Sequence, residues 1–333
     1  MTKQIDYQAI SSNFKKLEEV GQKRVIAVLK NNAYNTDLVK AATAVMASGC
    51  QLVVVTTVDE AIVIKKALPS LRVLIASVLD EADFQLIADY QFELMVESTS
   101  YINRYADYLT NHNWHLKMNI GMNRFGFDDL TELAAVIATY QQQITGLYAH
   151  VSLEEEDQAL YNQQIELFLT GYQLFKHKPE FVHVENSATL QKLDRRLSIC
   201  THSRIGILLY GYGHPKLTPC LTLYCKVVKI RDYIADDTFS YGLNNKVTTG
   251  MRIATIDIGY GDGIIDSRNQ FPFYINNYKY QQIGKQSMSH TYLIVDEAVS
   301  IGDQVEVYGA NISLSQHAKA IDYPCSKLMA YLN

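Results

Sequence analysis

Eight short apolar runs, separated by longer stretches of helical spacing, constrain this chain more than any other feature. They occupy residues 24–30 (RVIAVLK), 51–57 (QLVVVTT), 72–77 (RVLIAS), 92–98 (FELMVES), 114–120 (WHLKMNI), 144–150 (ITGLYAH), 181–187 (FVHVENS) and 204–210 (RIGILLY). Runs of this length, rich in β-branched residues, read as strands buried on both faces. Helical periods fill residues 36–48, 58–67, 128–140 and 156–177, and an opening helix is predicted over residues 7–19. Eight buried strands alternating with helices fit a (β/α)8 barrel of the TIM type in the α/β class. A doubly wound open sheet is the competing fold, and the lack of a GxGxxG turn after the first strand counts against it.

The texture changes past residue 210. The stretch GYGHPKLTPC reads as a linker, and the runs LTLYCKVVKIRDYI, MRIATIDIGY, FPFYINNYKYQQI, TYLIVDEAV and DQVEVYG alternate with turn residues as antiparallel strands do. The expected organisation is a barrel over residues 1–214 and a C-terminal, mainly-β domain over residues 215–333. No apolar run reaches the ~18 residues of a membrane span, and MTKQIDYQAI lacks the apolar centre of a signal peptide. A cytoplasmic protein with no membrane partner is expected. A net charge of −5 with dispersed basic residues argues against a nucleic-acid partner. Five cysteines without a CxxC pair or a His/Cys cluster suggest neither a disulfide framework nor a metal site.

Barrel chemistry gathers where strands end, and the polar residues there are Lys30, Asn119, His150, Asn186, Ser187 and, beginning the last run, Arg204. An ammonium at the edge of a buried layer is costly unless paired or lowered in pKa. Lys30 is therefore either the first residue of a solvated loop or an amine poised for Schiff-base chemistry. Tyr34 would share a face with Lys30 if the intervening residues start a helix, and its hydroxyl would suit an anion such as a phosphate. Ser187 and Gly206 offer further donors of that kind. In KMNIGMNRFGF, Gly121 and Gly126 bracket Arg124, which is either part of a basic turn or a clamp for a carboxylate or phenolate. His150 and Asn186 read equally well as satisfied core groups. In the second domain, Tyr241 (SYG) and Tyr260 (GYGDG) stand on glycine-rich turns, either as hairpin residues or as tips presented to a partner surface.

Taken together and in this order, these segments resemble the alanine racemase family, from IDYQAISSNFKKL near the start to AIDYP near the end. The resemblance implies a pyridoxal 5'-phosphate enzyme with an N-terminal barrel, a C-terminal β domain and a homodimer with shared active sites. It implies that Lys30 holds the cofactor as a Schiff base and that Tyr34 and Ser187 bind its phosphate, with the backbone of Gly206 and Ile207. His150 and Asn186 would lie near the cofactor, and Arg204 would donate to the pyridine nitrogen. Lys117 matches a lysine often carbamylated in the family, where the carbamate orients the arginine matching Arg124 in the substrate pocket. From the other subunit, Tyr241 would be the second catalytic base, Tyr260 and Met288 would shape the substrate entrance, and Tyr323 would stand on the phosphate side. The implied reaction is the two-base interconversion of L- and D-alanine, supplying D-alanine for cell-wall peptidoglycan.

Both bases have ordinary pKa values near 10, so the site is expected to lower them by burial near Arg204 and Arg124. The sequence also departs from the family pattern. Asn119 stands where many members have aspartate, and Ser287-Met288-Ser289-His290 replaces the usual Cys-Met-Asp. The second departure keeps open a racemase for another amino acid, such as serine or lysine. A non-catalytic pyridoxal-phosphate carrier, a barrel alone in related proteins, is disfavoured by the second domain. The sequence ends at YLN, without the arginine-containing tail of many members.

Overall fold

The computed structural model describes residues 1–152, 157–190, 197–243, 245–265 and 271–332. Its contacts form two units, one of Met1–Ala9, Tyr210–Gly213 and Thr218–Asn333, the other of Ile10–Leu209 and His214–Leu217.

The second unit is the barrel. Its parallel strands are β2 (Arg24–Val28), β3 (Leu52–Val55), β4 (Arg72–Ile75), β5 (Glu93–Val96), β6 (Asn113–Lys117), β7 (Ile144–Tyr148), β8 (Phe181–His183) and β9 (His202–Ile205). They pair in the order β8-β7-β6-β5-β4-β3-β2-β9. Two backbone bonds, Thr201 N–H to Val182 O at 3.0 Å and Arg204 N–H to Glu185 O at 2.9 Å, link the β8 and β9 segments and nearly close the ring. All four residues of β3 and of β5 are buried, as strands covered on both faces require.

The helices between strands start where the sequence offers a capping side chain. Asp37 opens α3 (Leu38–Ala47), Thr57 opens α4 (Val58–Ala67), Ser98 opens α6 (Thr99–Leu109), Asp129 opens α7 (Leu130–Tyr140) and Asp157 opens α8 (Gln158–Gln173). Between α4 and α6, Asp80 and Asp83 form a capping box on α5 (Glu81–Leu86). The residue Glu156, where the eighth-strand helix was expected to begin, lies outside the described residues.

Strand register sorts the inward side chains into two halves. Ile26, Leu52, Val54, Leu74 and Phe181 form an apolar cluster. The pairings Ile26 with Arg204, Leu74 with Glu93, His115 with Gly146, Lys117 with Tyr148 and Tyr148 with His183 carry the same face around to β5–β9. There the inward residues include the polar Glu93, His115, Lys117, His183 and Arg204.

Two expectations require correction. Residues 204–210 are not one strand: β9 ends at Ile205, and Ile207–Tyr210 forms a 3₁₀ turn whose Leu208, Leu209 and Tyr210 are buried without joining a ladder. Lys30 and Tyr34 do not share a right-handed helical face. Residues Asn31 to Asn35 all have φ between 51° and 64°, so the segment Lys30–Asn35 (α2) is a left-handed turn.

In the other unit, β10 (Leu221–Asp232) is long enough to serve two neighbours. Its first half pairs with β1 (Thr2–Ile5) and β17 (Gln304–Tyr308), and its second half with β13 (Arg252–Ile256). The remaining partners are β14 (Phe273–Ile275), β15 (Tyr278–Gln282) and β16 (Thr291–Val295), in the order β1-β10-β13-β16-β15-β14-β17. The β10–β17 pairing closes this sheet on itself, which removes most free edges. A two-stranded hairpin, β11 (Asp237–Phe239) with β12 (Asn245–Val247), projects separately.

Candidate active site

The left-handed turn begins at Lys30, immediately past β2. Left-handed backbone costs roughly 1–2 kcal/mol per residue except for glycine and asparagine, and three of the five residues here are asparagine. Local bonds hold the rest. Ala33 N–H donates to Leu29 O at 2.8 Å, Thr36 N–H to Asn32 O at 3.0 Å, and Thr36 Oγ1 to Ala33 O at 2.6 Å. The side chains of Asn32 and Glu60 lock the turn further, accepting from Leu38 N–H and Asn32 N–H, each at 2.9 Å.

This turn delivers Tyr34 to Gly206. A Cβ at Gly206 would lie 2.3 Å from the Tyr34 hydroxyl, so glycine is needed for the approach. Ser187 Oγ accepts the Gly206 N–H at 3.1 Å. Burial pushes the Tyr34 hydroxyl up to about 12, so it stays protonated and able to donate. Asn186 acts locally: its Oδ1 accepts from Ala188 and Thr189 N–H at 2.9 and 3.1 Å, capping the short helix Ser187–Leu190 (α9) that presents Ser187.

Arg204 is buried in β9. Its Nη1 donates to His183 Nδ1 at 2.9 Å and His183 O at 3.3 Å, and its Nη2 to His150 Nδ1 at 2.9 Å and Ala149 O at 3.1 Å. Its guanidinium carbon sits 5.1 Å over the Tyr148 ring. Burial, then the charges of Arg204, Arg124, Lys117 and Lys30, hold the His150 imidazole down at about 3, so it is neutral. The same cations act on the lysines. Lys117 is lowered to about 8 by burial, then Arg124 and Arg204, and Lys30 is lowered by the same causes in the same order, with Glu60 opposing.

Arg124 is exposed on the loop after β6. Asn119 organises that loop, accepting from Gly121 and Asn123 N–H at 3.1 and 2.9 Å and donating to Asn123 Oδ1 at 2.9 Å and Asp128 Oδ1 at 2.6 Å. An aspartate at 119 would face Asp128 with like charge, which gives the asparagine a physical reason. Gly126, at φ +124°, lets the loop return past Asn119, whose backbone N would lie 2.5 Å from an added Cβ.

Lys30, Tyr34, Lys117, Arg124, His150, Asn186, Ser187, Arg204, Gly206 and Ile207 thus belong to one unit. Tyr241, Tyr260, Met288 and Tyr323 belong to the other. Tyr241 follows Ser240, whose hydroxyl donates to Lys285 O at 3.0 Å, and the Tyr260 turn is tied to the Met288 segment by Gly261 N–H to Met288 O at 2.9 Å. Tyr241, Tyr260 and Met288 are 63%, 51% and 61% exposed, which is unusual for large apolar side chains clustered on neighbouring turns. Tyr323 follows the helix Leu314–Ala320 (α10), with Lys327 Nζ 4.1 Å over its ring.

The sequence reading passed over Tyr148 and His183, both against Arg204, and Glu60 on the turn. Their signal was positional: once Lys117 and Arg204 are taken as inward, register places Tyr148 and His183 inward as well.

Two family models match in sequence, the alanine racemase N-terminal domain over residues 5–214 and its C-terminal domain over residues 220–332. The chain belongs to the alanine racemase family. Membership makes it a racemase, and so an isomerase. "Alanine racemase 2" of Staphylococcus aureus (strain COL) is 30% identical over 316 residues, covering 88% of this chain and 85% of its own. The solved alanine racemase from E. faecalis superposes with a TM-score of 0.92 at 24% identity, covering 99% of this chain and 95% of that one. That from Bartonella henselae, solved with covalently bound pyridoxal phosphate, gives 0.88 at 22%, covering 99% and 96%.

Proposed function

We propose that this racemase interconverts L- and D-alanine with two bases, Lys30 of one subunit and the partner subunit's Tyr241, in a homodimer with shared active sites. The cofactor is pyridoxal 5'-phosphate, which supplies the electron sink that acidifies the Cα–H of a bound amino acid. The barrel residues fit that group: the Tyr34 hydroxyl, packed against Gly206, and the Ser187 hydroxyl on the Gly206 N–H suit a phosphate, and Arg204 and the neutral His150 suit the ring. Lys30 would carry the cofactor, and Asn186, Ile207 and the partner subunit's Tyr323 would complete its surroundings in this reading.

Support comes chiefly from the electrostatics at Lys30. Burial and the cations Arg124 and Arg204 lower its amine, which favours the unprotonated form that a nucleophile or base must present. Lys30 would move a proton at one face of Cα and the partner subunit's Tyr241 at the other. Arg204 can only donate, so toward a ring nitrogen it would favour the unprotonated form and would restrain the sink, which favours plain proton exchange. Arg124 would take the substrate carboxylate, with the partner subunit's Tyr260 and the partner subunit's Met288 at the entrance. Lys117, lowered to about 8, is open to carbamylation, and the carboxylate so formed would orient Arg124.

The physiological role in this reading is the supply of D-alanine for cell-wall peptidoglycan in the cytoplasm. Among the described residues no helix is long and apolar enough to cross a membrane. A broader amino-acid range is the second reading, because the turn at Met288, closed by His290 N–H to Ser287 Oγ at 2.9 Å, carries no carboxylate.

Chiral analysis of alanine, serine and lysine after incubation with the cofactor-loaded protein tests substrate and reaction together. Mixing inactive Lys30→Ala and Tyr241→Ala proteins should regenerate some sites intact in both bases. A mixture that stays inactive despite subunit exchange rules out the shared site.

A further inference from the structure

Across the barrel interior runs a buried polar row that the proposed chemistry leaves unused. His183 Nδ1 receives Arg204 Nη1 at 2.9 Å, His183 Nε2 lies 3.0 Å from His115 Nδ1, and His115 Nε2 lies 3.4 Å from Glu93 Oε2. The four residues come from β9, β8, β6 and β5, and both histidines are 0% exposed. Room for His115 is built into the strands. A Cβ on Gly146 would lie 2.3 Å from His115 Nδ1, and the register of β6 against β7 slips at this point, between Trp114 and His115. Tyr148 stacks on His183 at 4.8 Å and 8°, and Phe181 lies 5.4 Å from His115.

The proton inventory gives the row one direction. A guanidinium has donors and no acceptor, so His183 Nδ1 must accept, and the single proton of a neutral imidazole then sits on Nε2. That proton faces His115 Nδ1, which must accept in turn, leaving the His115 proton on Nε2, within 3.4 Å of Glu93 Oε2 but outside hydrogen-bond geometry. Burial, followed by the charge of Arg204, pushes His183 well below the ordinary histidine value, in keeping with its neutral form.

Glu93 is a well-anchored terminus. Its Oε2 also accepts from Thr145 Oγ1 at 2.7 Å, and its Oε1 from Arg72 Nε at 2.7 Å and Asn113 Nδ2 at 3.1 Å. Among the described residues the direct acceptors of Arg204 are two imidazoles and two carbonyls, all uncharged. A buried cation held only by neutral groups carries a heavy desolvation cost, and a polarised chain ending on a carboxylate offsets part of it.

We propose that His183 and His115 form one directional hydrogen-bonded relay, set against the Glu93 carboxylate by an electrostatic contact, that fixes the Arg204 guanidinium, making the three positioning residues for the reaction. Their role toward the cofactor rests on the racemase reading, whereas the relay is a property of the protein alone.

The test separates the two. In cofactor-free protein labelled with 15N-histidine, long-range 1H–15N spectra should show His115 and His183 as neutral Nε2–H tautomers at pH 7. An imidazolium at His115, or an Nδ1–H tautomer at either residue, overturns the relay whatever the activity, and this measurement needs no variant. In the holoenzyme, His115→Phe should lower kcat about tenfold, the usual scale for losing an outer partner, with little change in KM and a shifted visible band of the bound cofactor. His115→Gln, which can accept from His183 and donate to Glu93, should keep most of the activity. Equal losses in the two folded variants, or no loss in either, overturn the positioning role. Correct tautomers in a protein that racemises nothing would uphold the relay and sink the racemase reading.

Discussion

Replacing Gly206 by alanine probes the meeting of Tyr34 with the β9 segment. The three atoms nearest an added Cβ all belong to Tyr34: Oη at 2.3 Å, Cζ at 3.2 Å and Cε2 at 3.8 Å. Gly206 is not among the glycines with positive φ, so alanine meets no backbone penalty and the whole effect is the clash. Ordinary carbon contacts lie at about 3.5–4.0 Å, so the hydroxyl must retreat by roughly 1 Å. Tyr34 is poorly placed to yield, because its backbone is locked at φ 55° within the left-handed turn.

Overpacking of this kind costs about 1–3 kcal/mol, to be read from urea unfolding of the cofactor-free protein. A displaced hydroxyl also forfeits a bond to an anion worth about 1.5–3 kcal/mol. That corresponds to a cofactor Kd raised roughly 10- to 100-fold in a fluorescence titration. Adding Tyr34→Phe separates the two effects. With Oη gone the nearest atom is Cζ at 3.2 Å, so stability should recover while cofactor affinity stays low. A Gly206→Ala protein as stable and as tight-binding as the parent, or a double variant no more stable than the single, would refute the contact.

The lysines give two predictions in pH. Lys117 falls from an ordinary 10.5 to about 8, so between those values the unfolded chain binds more protons than the folded one, and stability rises with pH through that window. Below about pH 8 the full penalty, on the order of 3 kcal/mol, is in force. Lys117→Met should therefore stabilise the cofactor-free protein at pH 7 and lose that advantage by about pH 10.5; equal unfolding midpoints at pH 7 would count against it. Glu60 raises the Lys30 pKa while its Oε1 accepts from Asn32 N–H at 2.9 Å. Glu60→Gln keeps an acceptor there and removes the charge, so the acid limb of the kcat profile, which reports groups of the substrate complex, should move to lower pH. A limb that stays in place would mean that Lys30 does not set it.

The eight strands were legible because burial on both faces demands unbroken branched apolar runs. Their ends were read two to four residues too long, since the polar residues that close each run belong to loops beyond the ladder. RIGILLY misled for the opposite reason: Leu208, Leu209 and Tyr210 are buried like strand residues but sit in a 3₁₀ turn. The β1 segment TKQI carries no apolar signal and becomes a strand only because the first half of β10 lies beside it. The asparagines of NNAYN advertised a left-handed conformation, yet nothing in Ala33 or Tyr34 did. His115, His183 and Glu93 were invisible because a lone polar residue in a strand has no direction until register assigns one.

Register also explains why the barrel interior is divided. A barrel filled only for stability would layer branched aliphatic side chains throughout, as Ile26, Leu52, Val54 and Leu74 do here. Placing a guanidinium at Arg204 forbids that on the opposite side, because a buried cation without partners is far more costly than a lost methyl contact. Each partner then needs its own: His150 and His183 for Arg204, His115 for His183, Glu93 for His115, and Arg72 for Glu93. The sequence of demands ends at Arg72, which is only partly buried and pairs with the exposed Glu180, 2.9 Å away. One buried guanidinium at the carboxyl end of β9 is thereby linked to residue choice on four other strands, through to the opposite end of the barrel. The left-handed turn follows the same logic. Ala33 and Tyr34 accept an unfavourable backbone because that turn is what brings a hydroxyl to Gly206, beside the cation the interior is built to hold.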